Sequence, residues 1–232
     1  MITLKQIRSD HNFSVMINKA WDYLKAKGYT EHGLRHVNYV CKVTANILRD
    51  LDYDDRMVEL GSIAAYLHDI GNMHNRKNHG VTGANIVFTE LRNMGMDIED
   101  ICEITTAIAN HEEDNGHPVS ILTAALILAD KSDAHRTRVH KVNPGPPQIH
   151  DRVNLAIQNS KIFVDQERKS ITLDIDFDPS MCQIMDFFEI YLKRMEMCKA
   201  ASTVLGCRFR LIINGLEMLG KPPVHDTAGT EA

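Results

Sequence analysis

Apolar residues recur at helical spacing along most of the first 160 residues. Gly28 would end the first helix, Asp54 is a good N-cap for the third, and Gly71 would end that helix. The predicted helices cover approximately 12–27, 34–51, 55–70, 81–94, 98–110, 120–133 and 149–159.

The hydrophobic period changes after Ser160. Apolar and polar residues alternate over 171–177, which predicts a half-buried strand with a shorter partner at 162–164. Asp178, which a proline follows, is expected to begin a long helix. Its apolar stripe is predicted to contain Met181, Met185, Phe188, Leu192, Met195 and Cys198. Residues 207–213 alternate again as a third strand. This part of the chain therefore has the order β-β-α-β.

These patterns predict a mainly α protein, a helical bundle that carries a small C-terminal β-β-α-β appendage. The expected domains are a helical domain over 10–160, a small α+β unit over 161–220 and a flexible tail over 221–232.

Composition narrows the class of function. The 232 residues are 44% hydrophobic and 25% charged, as in soluble globular proteins, and the net charge of −5 argues against a nucleic-acid-binding face. No apolar stretch is long enough to cross a membrane. Five scattered cysteines without Cys-x-x-Cys spacing favour reduced thiols and a cytoplasmic location.

Histidine is the unusual residue, with twelve in the chain and eleven of them before residue 151. Several histidines and two aspartates lie at the ends of predicted apolar helices. Asp130 follows seven apolar residues in eight, and a carboxylate buried there without a partner would be costly. A metal ion would resolve that cost. The candidate ligands are His36, His68, Asp69, His79, His111 and Asp130.

The order of four of these residues is recognisable. His36, the adjacent pair His68-Asp69, and Asp130 together resemble the HD-domain superfamily of metal-dependent phosphohydrolases. The resemblance covers approximately 30–140 and implies an HD-type helical bundle. It also implies hydrolysis of a phosphate ester or anhydride bond.

Two further histidines resemble a bimetallic subset of that superfamily. His79 and His111 lie between the His-Asp pair and the last aspartate, as in members that hold two metals. The resemblance implies one metal on His36, His68, Asp69 and Asp130, and a second on Asp69, His79 and His111. Imidazole and carboxylate ligands suit divalent Mn, Fe, Co, Ni or Zn, with Mg as a further option. Alternatively, His79 is a loop histidine and His111 a helix C-cap.

Catalytic and substrate-binding roles are expected near these ligands. Asp69 would bridge the metals, and Asp133 could orient water, a ligand histidine or Arg136. Glu112 is interpreted as a surface carboxylate rather than a proton shuttle. The candidates for binding phosphate are Arg76, Lys77, Lys131 and Arg136, although the same charges could simply be solvated.

The expected substrate is a small phosphorylated molecule, most plausibly a nucleotide. Residues 110–118 are only faintly similar to the signature of cyclic-di-GMP phosphodiesterases, because His117 replaces a tyrosine and Asn72 a lysine. Residues 129–136 and 79–84 are more similar to bacterial HD proteins that hydrolyse diadenosine tetraphosphate.

Two other classes of function stay open at this point. HD-fold di-iron oxygenases use the same ligand set, and a non-catalytic signalling or scaffold module would keep the fold alone. The C-terminal unit is a candidate for forming a homodimer or for covering the active-site cleft.

Overall fold

The computed structural model describes residues 2–139 and 148–219. The predicted tail at 221–232 lies outside these residues. The elements, in chain order, are α1 (Leu4–Ser9), α2 (His11–Ala26), α3 (Leu34–Asp50), α4 (Asp55–Leu67), α5 (His79–Asn93), α6 (Ile98–Ala109), α7 (Ile121–Ser132), α8 (Ile149–Ala156), β1 (Ile157–Asp165), β2 (Ser170–Phe177), α9 (Ile184–Val204), β3 (Arg208–Ile213) and β4 (Leu216–Glu217).

The mainly helical architecture is confirmed, and local signals explain where the helices begin. The side chains of Asp54, Asp97 and Ser120 each accept a hydrogen bond from a backbone N–H in the first turn of α4, α6 and α7. The short helix α1 was not predicted. Helix α8 ends at Ala156, three residues earlier than expected, because the chain continues directly into β1.

The C-terminal sheet has the strand order β1-β2-β3-β4. Strands β1 and β2 form an antiparallel pair, and β3 returns through α9 to pair with β2 in parallel. The predicted β-β-α-β order is therefore confirmed, and the two-residue strand β4 extends it. In the described ranges, every strand lies after residue 156.

Helix α9 differs from its prediction in start and in orientation. Asp178 accepts hydrogen bonds from the backbone N–H and hydroxyl of Ser180 and so forms a turn, and the helix begins only at Ile184. Met185 and Leu192 were expected to face inward, but their exposed fractions are 66% and 53%. Met195 and Cys198 of the predicted stripe are buried, and Phe187, Tyr191 and Ala201 complete the buried face with them.

The core of the helical part is built around α4 and α7. Every residue of 60–67 and of 122–129 is buried. Helix α7 packs against α3 on one side and against α9 of the C-terminal unit on another. Because α7 is buried over 122–129, its last turn, which contains Asp130, lies in the centre of the molecule. No helix in the described ranges is long and apolar enough to cross a membrane.

Candidate metal centre

The six predicted ligands come from five helix ends that meet in the bundle. His36 lies in the first turn of α3, and His68 and Asp69 directly follow α4. His79 is the first residue of α5, His111 lies just after α6, and Asp130 lies in the last turn of α7. All of them are buried except Asp130, whose side chain is 12% exposed.

Four side-chain atoms form a first ligand set. His36 Nε2 lies 3.3 Å from His68 Nε2, 3.2 Å from Asp130 Oδ1 and 3.6 Å from Asp69 Oδ2. His68 Nε2 lies 3.4 Å from Asp69 Oδ2 and 3.7 Å from Asp130 Oδ1. Two tetrahedral ligands that are each about 2.0–2.1 Å from one ion are separated by about 3.3 Å. The first set therefore has the spacing of metal ligands.

A second set uses the other oxygen of the same aspartate. Asp69 Oδ1 lies 3.1 Å from His79 Nε2 and 4.0 Å from His111 Nε2. The two Nε2 atoms are 3.0 Å apart. Asp69 thus offers one oxygen to each set, as a bridging carboxylate does.

Each ligand histidine is oriented through its other ring nitrogen. A carbonyl or carboxylate oxygen only accepts hydrogen bonds, so Nδ1 is the donor and Nε2 of the neutral ring presents a lone pair. In each of the pairs His36–His68 and His79–His111, two Nε2 lone pairs then face each other at short distance. A cation between them would accept both lone pairs and remove their repulsion. The Nδ1 partners are Asp133 Oδ2 for His36 (2.6 Å), Ala65 O for His68 (2.7 Å), Arg76 O for His79 (2.9 Å) and Ile108 O for His111 (2.6 Å).

The charges of the two aspartates also fit a cation. Burial alone would raise the pKa of Asp69, but His68 and His79 hold it well below its usual value. Burial likewise opposes ionisation of Asp130, and Lys131 and His36 lower its pKa. Among the described residues, Asp69 Oδ2 is a buried atom without a hydrogen-bond partner. This donor set of imidazoles and ionised carboxylates fits one or more divalent metal ions.

A glycine allows the two ligand sets to approach each other. Gly71 lies in a short 3₁₀ turn at 70–73, and a Cβ there would lie 2.0 Å from the carbonyl oxygen of His79 and 2.5 Å from the backbone nitrogen of Gly83. Only glycine fits that contact. The absence of a side chain lets the turn after Asp69 pack directly on the start of α5.

Asp133 contacts a ligand histidine, one of the three partners that the sequence suggested. Its carboxylate accepts a hydrogen bond from His36 Nδ1 at 2.6 Å and two from the guanidinium of Arg35, at 3.1 and 2.6 Å. Arg138 donates to its backbone oxygen. Burial opposes ionisation of this side chain, but Arg138 and His36 lower its pKa. Asp133 therefore orients His36 as a carboxylate.

Lys131 joins the ligand Asp130 to the C-terminal unit. Its Nζ lies 2.7 Å from Asp130 Oδ2 and 3.2 Å from Glu113 Oε1, and its side chain is 5% exposed. Arg194 of α9 contacts the same oxygen of Glu113 at 2.8 Å. A chain of alternating charges thus runs from helix α9 to the metal centre.

The three other residues that were predicted to bind substrate differ in their distance from the metal ligands. Arg76 lies at the centre, with Nη1 3.5 Å from His79 Nε2 and 3.8 Å from Asp69 Oδ1, and its side chain is 29% exposed. Lys77 is exposed on the same loop. Arg136 is also exposed, and it contacts the carbonyl oxygen of Leu155. No contact in the described part of the chain joins Lys77 or Arg136 to the ligands.

Two residues at the centre were not identified as functional from the sequence. Glu112 is 8% exposed, and its Oε1 lies 2.8 Å from His79 Nδ1, so its interpretation as a surface carboxylate was wrong. The ring of His32 lies 5.3 Å from the ring of His36. Its Nδ1 contacts the carbonyl oxygen of Thr30. The spacing of four between His32 and His36, at the start of α3, was a usable signal.

A comparison with protein families bears on this geometry. The family described as "HD domain" matches residues 33–135. This part of the chain is an HD domain. The resemblance inferred from the sequence is thereby confirmed, and all six ligand candidates lie within the HD domain.

The match indicates the general chemistry that is typical of such a domain. HD domains bind divalent metals, and their family consists mostly of metal-dependent phosphohydrolases. The clustered histidines and aspartates are compatible with such a site. The matched range ends before the C-terminal unit, which is therefore additional to the HD domain. No curated protein matched this sequence.

Proposed function

We propose that this protein is a phosphohydrolase with a two-metal centre that acts on a small phosphorylated substrate of the nucleotide class. One observation carries the proposal. Asp69 directs Oδ2 toward His36 and His68 and Oδ1 toward His79 and His111. A carboxylate with both oxygens engaged in this way is suited to bridging two cations.

The residues of the chain would have separate roles in holding the metal ions and in orienting their ligands. Bound divalent ions would supply Lewis acidity toward phosphoryl oxygens and would lower the pKa of a coordinated water. His36, His68, Asp69 and Asp130 would hold the first ion, and Asp69 with two further histidines the second. Asp133 fixes the ring of His36 through its Nδ1 proton.

Arg76 is the best-placed contact for substrate phosphate. Its guanidinium lies beside the second ligand set, and the side chain is 29% exposed, so a substrate can reach it. A guanidinium donates several hydrogen bonds in a plane, and that geometry matches phosphate oxygens. The preference for a nucleotide rests on the similarity of residues 129–136 and 79–84 to HD proteins that hydrolyse dinucleotides.

Metal analysis and a phosphate-release screen test this proposal. We expect two divalent ions in each chain purified without chelator, and phosphate release from at least one mono- or dinucleotide. Asp69→Asn should lose both metal and hydrolysis, because it removes the charge that would hold two ions together. Asp114→Asn is the control, since its pair with Lys193 is exposed.

Several outcomes would contradict the proposal. An Asp69→Asn protein that kept two metals and near-normal hydrolysis would refute the bridging role. Substrate-dependent oxygen consumption without phosphate release would show instead an HD-fold oxygenase. A loaded protein with neither activity would favour a non-catalytic module.

A further inference from the structure

Each of the two ligand sets contains one histidine whose Nδ1 atom contacts a carboxylate that is not itself a candidate ligand. In the first set, His36 Nδ1 lies 2.6 Å from Asp133 Oδ2. In the second set, His79 Nδ1 lies 2.8 Å from Glu112 Oε1. His68 and His111 are held by backbone carbonyl oxygens alone. Each ligand set therefore contains one such contact, and in the second set the Nδ1 proton of His79 is shared between Glu112 and the carbonyl oxygen of Arg76, 2.9 Å away.

The carboxylate of Glu112 is held in place by the start of α5 as well as by His79. Its Oε1 also accepts a hydrogen bond from the backbone N–H of Gly80, in the first turn of α5. A Cβ on Gly80 would lie 3.2 Å from this oxygen and 2.9 Å from the carbonyl oxygen of Ile108. A carboxylate at a helix N-terminus is also favoured by the helix dipole. Glu112 is thus held where it meets the ring of His79.

A carboxylate that accepts the Nδ1 proton acts on the far side of the ring. It fixes the ring orientation and makes Nε2 a stronger ligand, and the loss of such a partner commonly weakens metal binding about 10–100-fold. Asp133 has a similar relationship to His36, but its carboxylate also pairs with Arg35 and lies 3.7 Å from Arg138 Nε, so a substitution there would disturb more than the contact with His36.

We infer that Glu112 is a positioning residue for the second metal, the one that Asp69, His79 and His111 would hold. The inference rests on the proposed two-metal centre and goes beyond it, because it assigns control of one ion to a residue that does not bind it. Among the ligand residues in the described ranges, His79 is the one whose ring the carboxylate of Glu112 contacts. Its removal should therefore weaken the second position and spare the first.

Titration of the full-length, metal-free protein with Mn²⁺ tests this inference. Calorimetry would give both dissociation constants for the wild type and for Glu112→Gln. Glutamine keeps the shape and one acceptor oxygen for both donors, but it loses the charge. We expect one Kd to rise about tenfold or more and the other to stay within about twofold. Asp114→Asn, which removes one exposed charge from the same loop, should change neither.

Two further measurements keep the result interpretable. Glu112→Asp retains the charge but shortens the side chain, so it should weaken the same Kd, and circular dichroism would verify that each variant is folded. Unchanged constants in both Glu112 variants, or an equal loss at both positions, would overturn the inference. A wild-type protein that binds a single Mn²⁺ would contradict the two-metal proposal itself, whatever the variants do.

Discussion

The ammonium group of Lys131 lies 2.7 Å from Oδ2 of Asp130, while Oδ1 of the same carboxylate lies 3.2 Å from His36 Nε2. One oxygen of Asp130 is therefore committed to a buried cation, and the other is left for a metal. Burial disfavours a charged lysine, but Asp130 and Glu113 raise the pKa of Lys131 above its usual value. Lys131 thus fixes a ligand, although the sequence suggested that it binds substrate.

The pair leads to a prediction on stability. Lys131→Met keeps the apolar stem but leaves Asp130 and Glu113 without their shared partner. We expect the metal-free protein to lose about 3–5 kcal/mol of unfolding free energy, as is usual when one member of a buried ion pair is removed. Urea denaturation in the presence of a chelator measures this loss.

Lys193 supplies the matched control on the protein surface. Lys193→Met breaks an exposed pair with Asp114, in which the side chains are 73% and 76% exposed. Its cost should stay below about 1 kcal/mol. Equal losses in the two variants would show that the network around Lys131 contributes little.

A second prediction compares two arginines. Arg76→Met should retain metal and lose about 2–3 kcal/mol of transition-state stabilisation, or roughly a hundredfold in kcat/KM, because it removes a charge-assisted contact to phosphate. Arg136→Met should stay within about threefold of the wild type, because a change well below 1 kcal/mol is expected for a side chain that does not contact substrate. Steady-state kinetics with matched metal content decide between them, and a larger loss at Arg136 would reverse the assignment.

A third prediction concerns the backbone contact at Gly71. Alanine there would meet the carbonyl oxygen of His79 at 2.0 Å. We expect a loss of about 3 kcal/mol in stability together with weaker metal binding, because α5 must move away from Asp69. At Gly83 the nearest atom to an added Cβ is 3.1 Å away. Gly83→Ala should therefore stay within about 1 kcal/mol of the wild type, as thermal melts with and without Mn²⁺ would show.

The cysteines give a test of the fold that is independent of metal. Burial raises the pKa of Cys198 to about 12, whereas Cys102 is exposed. At pH 8 almost no Cys198 thiolate exists, so iodoacetamide should label Cys102 first and Cys198 only after unfolding. Mass spectrometry with and without urea reads this order. Rapid labelling of Cys198 in the native protein would mean that α9 does not pack on α7 as described.

Much of the fold could be predicted because its signals are local. The N-cap at Asp54 and the strict alternation at 171–177 depend on neighbours within a few residues. Helix α1 has six residues, too few for a period to show. The inward face of α9 could be predicted only in part, at Met195 and Cys198, since apolar residues surround the helix and only packing against α7 selects among them.

In the candidate site, too, some features could be predicted from the sequence and others depend on tertiary packing. The ligands could be identified because their order along the chain resembles a known family. The ion pairs of Glu113 with Lys131 and Arg194 could not, because Glu113 lies on the loop before α7 and Arg194 lies in another part of the chain. Glu112 was interpreted wrongly because burial arises only when α5 meets the end of α6.

The connection from Arg194 through Glu113 and Lys131 to Asp130 limits how separable the C-terminal unit is. Charges alternate along it, so the removal of helix α9 would take the guanidinium of Arg194 away from Glu113 and leave Lys131 as the one cation between Glu113 and Asp130 in this connection. The HD domain in this chain is therefore not an interchangeable module. We expect that a variant lacking the C-terminal unit would need compensating changes at 113 and 131 to keep Asp130 in place.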